Sequence, residues 1–185
     1  MLFGGVTVAV KTALVTGASS GIGEATVRRL AALGYTVYGA ARRVDRLEQL
    51  RDVGIRPLGL DVTDDGSMKS GVAAIIAETG RIDVLVNNAG YGSYGALEDV
   101  PEAEARRQFD VNVFGAMRLT QLVVPHMRAQ CAGTVVNITS MGGKIYTPLG
   151  GWYHGTKFAL EALSDCLRLE VKPFGINVVV IEPGG

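Results

Sequence analysis

Tyr153 and Lys157 stand four residues apart in Tyr153-His154-Gly155-Thr156-Lys157. They open a stretch with helical periodicity, so both project from one helix face. A phenol and an ammonium held side by side form an acid–base unit. A free tyrosine titrates near ~10 and holds its proton too firmly for work at neutral pH. Lowering that value by roughly three units takes about 4 kcal/mol of preference for the phenolate. A neighbouring cation in a partly desolvated site supplies much of it. The spacing also arises by chance, so it gains meaning only from partners.

The first partner is a glycine-rich turn, Thr16-Gly17-Ala18-Ser19-Ser20-Gly21-Ile22-Gly23, set between an apolar run and Glu24-Ala25-Thr26-Val27-Arg28-Arg29-Leu30. Glycine turns sharply and lets a ligand approach the backbone. Free amides at a helix start, with the helix dipole, favour a pyrophosphate. Gly17, Ser19, Ser20, Gly21 and Ile22 are the candidate contacts, and Gly23 allows close helix–strand packing. The spacing is Gly-xxx-Gly-x-Gly, not the Gly-x-Gly-xx-Gly of the familiar dinucleotide fingerprint. Ser140 ends the run Asn137-Ile138-Thr139-Ser140, at a strand end where open α/β sheets place ligands, and Thr139 is the hydroxyl one register away. Asn112 falls in mid-helix. Asparagine competes for backbone hydrogen bonds, so a local distortion there would expose a carbonyl and hold a water.

These residues need a scaffold. Six β-branched runs predict strands: Thr12–Thr16, Thr36–Ala41, Pro57–Asp61, Val84–Asn87, Thr134–Thr139 and Asn177–Ile181. Val84-Leu85-Val86 and Val178-Val179-Val180-Ile181 do not alternate, which suits parallel strands covered on both faces. Helical patterns fill the gaps at Ile22–Leu33, Val44–Val53, Ser67–Glu78, Glu102–Gln130 and Trp152–Val171. The alternation predicts an α/β fold with a doubly wound parallel sheet. With no repeat or linker, residues 1–185 read as a single dinucleotide-binding domain.

In order and spacing, Thr16–Gly23, Asn87-Asn88-Ala89-Gly90, Ser140, Tyr153/Lys157 and Pro183-Gly184 resemble the short-chain dehydrogenases/reductases from about Lys11 onward. The resemblance implies a Rossmann fold and an NAD(P)-dependent oxidoreductase that reduces a carbonyl or oxidises a secondary alcohol. It implies that Ser140 orients the substrate oxygen, that Tyr153 exchanges its proton, and that Lys157 holds the nicotinamide ribose and lowers the tyrosine pKa. Asn112 would connect Lys157 through water to solvent. Asp61 and Val62 match the pair that meets adenine; Asn88, Ala89 and Gly90 match the segment beside the adenosine, and Pro183 and Gly184 complete the cofactor set.

An NAD enzyme commonly carries an acidic residue at the end of the second strand, which accepts from the ribose 2′-hydroxyl. Here Arg42 and Arg43 stand there, with no acid before Asp45, and arginines suit a 2′-phosphate. NADP(H) is favoured and NAD(H) stays possible. The helices near 102–130 and 152–171 match those that pair family members into homodimers or homotetramers. Lys157–Glu170 resembles steroid- and retinol-type members, which suggests a bulky apolar substrate. Relatives continue past Pro-Gly with a final strand and a substrate loop, so a chain stopping at Gly185 is expected to lack both, as a truncated or incomplete C-terminus, and to be a poor catalyst as written. The competing reading is a non-catalytic NADP-binding module, a redox sensor or interaction partner.

Bulk composition sets outer limits. Of 185 residues 48% are hydrophobic and 25 are glycine, and 18 basic residues balance 18 acidic ones. That balance gives no drive toward nucleic acid or an anionic membrane. Cys131 and Cys166 lack metal-like spacing and read as small buried residues of a reducing compartment. His126 and His154 have no carboxylate or cysteine at ligand spacing, so no metal is expected; His154 adjoins Tyr153 but faces elsewhere on the helix. Met1–Val10 is apolar but short, with no basic residue before Lys11. It reads as a loose extension or an edge of the first strand rather than a signal peptide or membrane span, and the protein as cytoplasmic.

Overall fold

Strands β1 (Thr12–Thr16), β2 (Thr36–Ala41), β3 (Ile55–Gly59), β4 (Val84–Asn87), β5 (Gly133–Ile138) and β6 (Ile176–Ile181) form one sheet in the order β3-β2-β1-β4-β5-β6. Every pairing is parallel. The computed structural model describes residues 10–184; what the sequence suggests for residues 1–9 and Gly185 lies outside them. Parallel strands need crossovers. These are supplied by α1 (Gly21–Ala32), α2 (Asp45–Glu48), α3 (Asp65–Thr79), α4 (Glu102–Phe109) with α5 (Ala116–Gln130), and α6 (Gly151–Val171).

Both sheet faces are covered, which is why the strands do not alternate. Leu14, Leu85 and Val135 join Val72 and Ile75 of α3 and Leu119 and Val123 of α5 in one core; Val15, Val86 and Ile138 join Val27 of α1 and Leu47 of α2 in the other. A buried polar ladder crosses the first face. Asn87 Nδ2 donates to Thr120 Oγ1 and to Asn137 Oδ1, both at 2.9 Å, and Asn137 Nδ2 donates to Ser164 Oγ at 2.8 Å. It ties β4 and β5 to α5 and α6.

Four expectations need correction. The third strand is Ile55–Gly59, not Pro57–Asp61: Ile55 pairs with Val37 and is buried, while the Asp61 carboxylate turns the chain by accepting from Thr63 N at 2.9 Å. The helix expected at Val44–Val53 divides into α2 and a 3₁₀ turn, Arg51–Val53, closed by left-handed Gly54. The single helix expected at Glu102–Gln130 is interrupted by a π-helical turn, Asp110–Gly115. A Cβ on Gly115 would lie 2.6 Å from the Val62 carbonyl, so this turn abuts the segment after β3. Both cysteines are exposed, contrary to expectation. Cys131 is the left-handed residue that ends α5, and Cys166 lies on the outer face of α6.

Candidate active site

The carboxyl ends of all six strands open on one side of the sheet, and the order reverses between β1 and β4. That junction is where doubly wound sheets hold ligands. A cleft of about 700 Å³ lies there, within the usual size of small-molecule sites.

The glycine turn forms one end. Gly17 (φ +64°) and Gly21 (φ +57°) are left-handed, a conformation that costs L-residues strain. Gly17, Ser19, Ser20 and Ile22 line the cleft. Gly21 and Gly23 do not. Gly23 packs beneath, where a Cβ would fall 2.3 Å from the Gly17 carbonyl oxygen. Ser20 precedes the first turn of α1 without a side-chain capping bond, so its hydroxyl is not spent on the helix. Asn88 braces the turn: Nδ2 donates to the Thr16 and Gly17 carbonyls at 2.9 and 3.2 Å. The Thr16 hydroxyl oxygen accepts from the amides of Asn88 and Ala89, both at 3.0 Å.

Beyond β2 and β3 the cleft is lined by Arg42, Arg43, Asp61 and Val62. Both arginines are exposed. Burial works to raise the Asp61 pKa, but the Thr63 amide and hydroxyl, with the Arg42 and Arg107 charges nearby, hold it below the ordinary carboxylate value. Ala89 and Gly90 follow, then Tyr91, whose hydroxyl donates to Glu104 Oε1 at 2.9 Å.

Ser140, Tyr153 and Lys157 share the far wall with Pro183 and Gly184. Ser140 caps a 3₁₀ turn, Met141–Gly143, and its Oγ accepts from Gly142 N at 3.0 Å. An acceptor site of the hydroxyl is thus occupied and its proton is left to donate. Tyr153 lies between glycines: a Cβ on Gly92 or on Gly142 would come within 3.2 Å of its ring. Tyr94 packs beside it at a centroid separation of 5.8 Å. Lys157 Nζ sits 5.7 Å from the Tyr153 ring centre and donates to the Ile138 carbonyl at 3.0 Å. It is 6% exposed. Burial lowers its pKa to about 8, so near pH 8 its charged and neutral forms are comparably populated.

Asn112 lies behind this wall, 1% exposed and not lining the cleft. It falls in the π turn, so the distortion expected around it is real. Its side chain is a brace: Oδ1 accepts from Tyr91 N at 3.0 Å, while Nδ2 donates to the Tyr91 carbonyl at 2.8 Å and to Thr156 Oγ1 at 3.0 Å. Gly90 is the point of closest approach, since a Cβ there would be 3.1 Å from Asn112 Oδ1 and 3.7 Å from Lys157 Nζ.

Sequence reasoning missed Tyr91 and Tyr94, which follow Asn87–Gly90 in the loop after β4; loops at strand carboxyl ends are where such residues belong. It also dismissed His154. That side chain is buried, with Nδ1 2.9 Å from the Gly142 carbonyl and Nε2 accepting from Thr147 N at 3.2 Å. These contacts select the neutral Nδ1–H tautomer and hold the loop after Ser140.

The short chain dehydrogenase family profile matches residues 11–185. The 3-ketodihydrosphingosine reductase of Bacteroides thetaiotaomicron is 43% identical over 172 residues, 92% of this chain and 62% of that protein. The chain thus spans about three fifths of that curated relative. A short-chain dehydrogenase from Streptomyces avermitilis has a similar structure, with TM-score 0.94 and 44% identity over 97% of this chain and 67% of that one. A metagenomic short-chain oxidoreductase in complex with NADP gives TM-score 0.91 at 31% identity, covering 96% and 85%. An NAD⁺-bound xylitol dehydrogenase gives 0.90 at 34%, covering 94% and 70%. With the profile spanning nearly all of the chain and the fold matched throughout, the chain belongs to the short-chain dehydrogenase/reductase family.

Proposed function

We propose that the protein carrying this chain, as one dinucleotide-binding domain, is an NADP(H)-dependent carbonyl reductase or secondary-alcohol dehydrogenase. The observation that carries this reading is the convergence of Ser140, Tyr153 and Lys157 on one wall of a cleft that ends in the glycine turn and the two arginines. The cleft residues fit a nicotinamide dinucleotide. The amides of the Gly17–Gly23 turn and the Ser20 hydroxyl would hold the pyrophosphate; Asp61, Val62 and Asn88–Gly90 would border the adenosine, and Arg42 and Arg43 a 2′-phosphate. When bound, the cofactor supplies or accepts the hydride.

The protein's own contribution is to place and charge one oxygen atom. Ser140 donates its free proton to the substrate oxygen and fixes its orientation. Tyr153 delivers a proton to that oxygen in reduction and removes one in oxidation. Lys157, buried 5.7 Å from the centre of the phenol ring, would hold the ribose. Asn112 keeps Tyr91 and α6 in place through Thr156. NADP rather than NAD is supported by the arginines and by the NADP-bound neighbour; the NAD⁺-bound neighbour makes cofactor titration necessary. Pairing into dimers or tetramers through the segments near 102–130 and 152–171 is supported by a trough in which Phe109, Phe114 and Trp152 are flanked by Glu102, Arg106 and Asp110. No helix among the described residues is long and apolar enough to cross a membrane.

Tyr153→Phe tests the catalytic reading. It removes one hydroxyl and should cut turnover of a ketone by at least ~10²-fold, with NADPH affinity unchanged by fluorescence titration. A variant that still turns over normally would place the chemistry elsewhere. NADPH binding without turnover in the parent protein would favour a non-catalytic binding module.

A further inference from the structure

Two side chains of α6 reach across to the end of β5. Lys157 donates to the Ile138 carbonyl, and one helical turn later Glu161 Oε1 accepts the Thr139 hydroxyl at 2.5 Å. Ser140 is the next residue. Glu161 is 7% exposed. Its other oxygen pairs with Lys144 Nζ at 2.9 Å, and Lys144 also reaches Glu182 at 3.5 Å. The turn after Ser140 rests on the same side chain, since a Cβ on Gly143 would lie 2.9 Å from Glu161 Cγ.

A buried carboxylate is an expensive way to join two elements, because desolvation offsets much of what its partners return. An apolar pair of similar shape would hold strand to helix at less cost. What the carboxylate adds is direction: a short charge-assisted hydrogen bond tolerates little angular or lateral slip. One anchor, Lys157 on Ile138, fixes a point on the strand. A second anchor on the adjacent residue fixes its orientation. Thr139 N donates to the Ile181 carbonyl at 2.8 Å, and the Thr139 hydroxyl also lies 3.1 Å from that carbonyl, so its one proton lies between β6 and the shorter bond to Glu161; only the bond to Glu161 holds this residue against α6.

We infer that Glu161 is a positioning residue of the active site, whose bond to Thr139 sets the end of β5 against α6 and thereby the placement of Ser140 relative to Tyr153. This rests on the assignment of Ser140 and Tyr153 to the reacting oxygen. A displacement of about 1 Å between reacting groups costs on the order of 10²-fold in rate.

The test compares the purified protein with Glu161→Ala, Glu161→Gln, Thr139→Val and the Glu161→Ala/Thr139→Val pair. Turnover is followed with NADPH and a ketone panel of acetophenone, cyclohexanone and 2-decanone, with NADPH Kd measured in parallel and Tyr153→Phe as reference. Glu161→Ala and Thr139→Val should each lower kcat by about 10- to 100-fold, and the pair by no more than either alone. NADPH Kd should stay within about twofold. Glu161→Gln should recover most of the rate, because its amide oxygen still accepts from Thr139. Near-parental kcat in Glu161→Ala, with Tyr153→Phe inactive, overturns the inference. So does an equal loss of kcat and cofactor affinity in all variants, which marks general loosening. An active Tyr153→Phe, or a parent inactive on every ketone, overturns the underlying reading instead. If Glu161→Ala does not fold, near-isosteric Thr139→Val decides.

Discussion

Replacing Lys157 by methionine should remove function while leaving the cofactor-free fold as stable as before, or more so, near neutral pH. Burial lowers the amine from its ordinary 10.5 to about 8. The difference, at 1.36 kcal/mol per unit, corresponds to roughly 3 kcal/mol of unfavourable desolvation of the charged form. The penalty stands because Nζ has the Ile138 carbonyl as acceptor and, among the described residues, no carboxylate partner. Methionine removes the penalty but leaves that carbonyl without its donor, at about 1–3 kcal/mol. The net change at neutral pH is therefore between roughly 0 and 2 kcal/mol in the variant's favour.

The pH dependence discriminates more sharply. Below about pH 8 lysine is charged in both folded and unfolded chains, and the full penalty applies. As pH rises further, the unfolded chain keeps a proton that the folded one has lost, so wild-type stability rises. Methionine has no such titration. Wild type should gain roughly 2–3 kcal/mol on the variant between pH 7 and pH 10. Urea unfolding of both proteins, followed by Trp152 fluorescence, reads this difference. A difference that stays flat across the range would refute the reasoning, because it would mean that the amine is hydrated or paired.

Arg42→Ala should weaken NADPH binding by about 10- to 100-fold, the worth of one charge-assisted phosphate contact, and leave NADH nearly unchanged; equal losses for both cofactors would remove the argument for a 2′-phosphate site. Phe114, 62% exposed beside the trough of Phe109 and Trp152, should be covered in an oligomer. Sedimentation equilibrium should find dimers or larger, and Phe114→Glu should shift them toward monomer; a monomeric parent sinks this part of the proposal.

The sequence carried the scaffold where signals are local. Thr12–Thr16, Thr36–Ala41 and Val84–Asn87 are strands with the bounds expected of them, because β-branched runs flanked by turn residues declare themselves. The glycine turn and the Tyr153/Lys157 spacing were legible for the same reason. What escaped depends on contacts between distant segments. Asn112 invited a distortion, but the π turn there also brings Gly115 against the Val62 carbonyl, a contact no local pattern displays. Ile55 enters β3 through pairing with Val37, which no local pattern displays. Gly23 sits in the motif yet touches its own turn, while Tyr91 and Tyr94 line the cleft from a loop without periodicity. The Thr139–Glu161 bond joins residues 22 apart in sequence.

The junction of β1 with β4 also bears on how the molecule is made. β3, β2 and β1 can pair among themselves, since each lies one crossover from the next. β4 joins β1 only after the intervening chain has closed a loop of about 70 residues, as the contact of Asn88 with Thr16 records. Such long closures are the slow events of folding. The cleft straddles this seam, with the glycine turn on one side and Ser140, Tyr153 and Lys157 on the other. Nascent chain therefore lacks this cleft until its halves have met, and a dinucleotide bound there would act as a clasp across the seam.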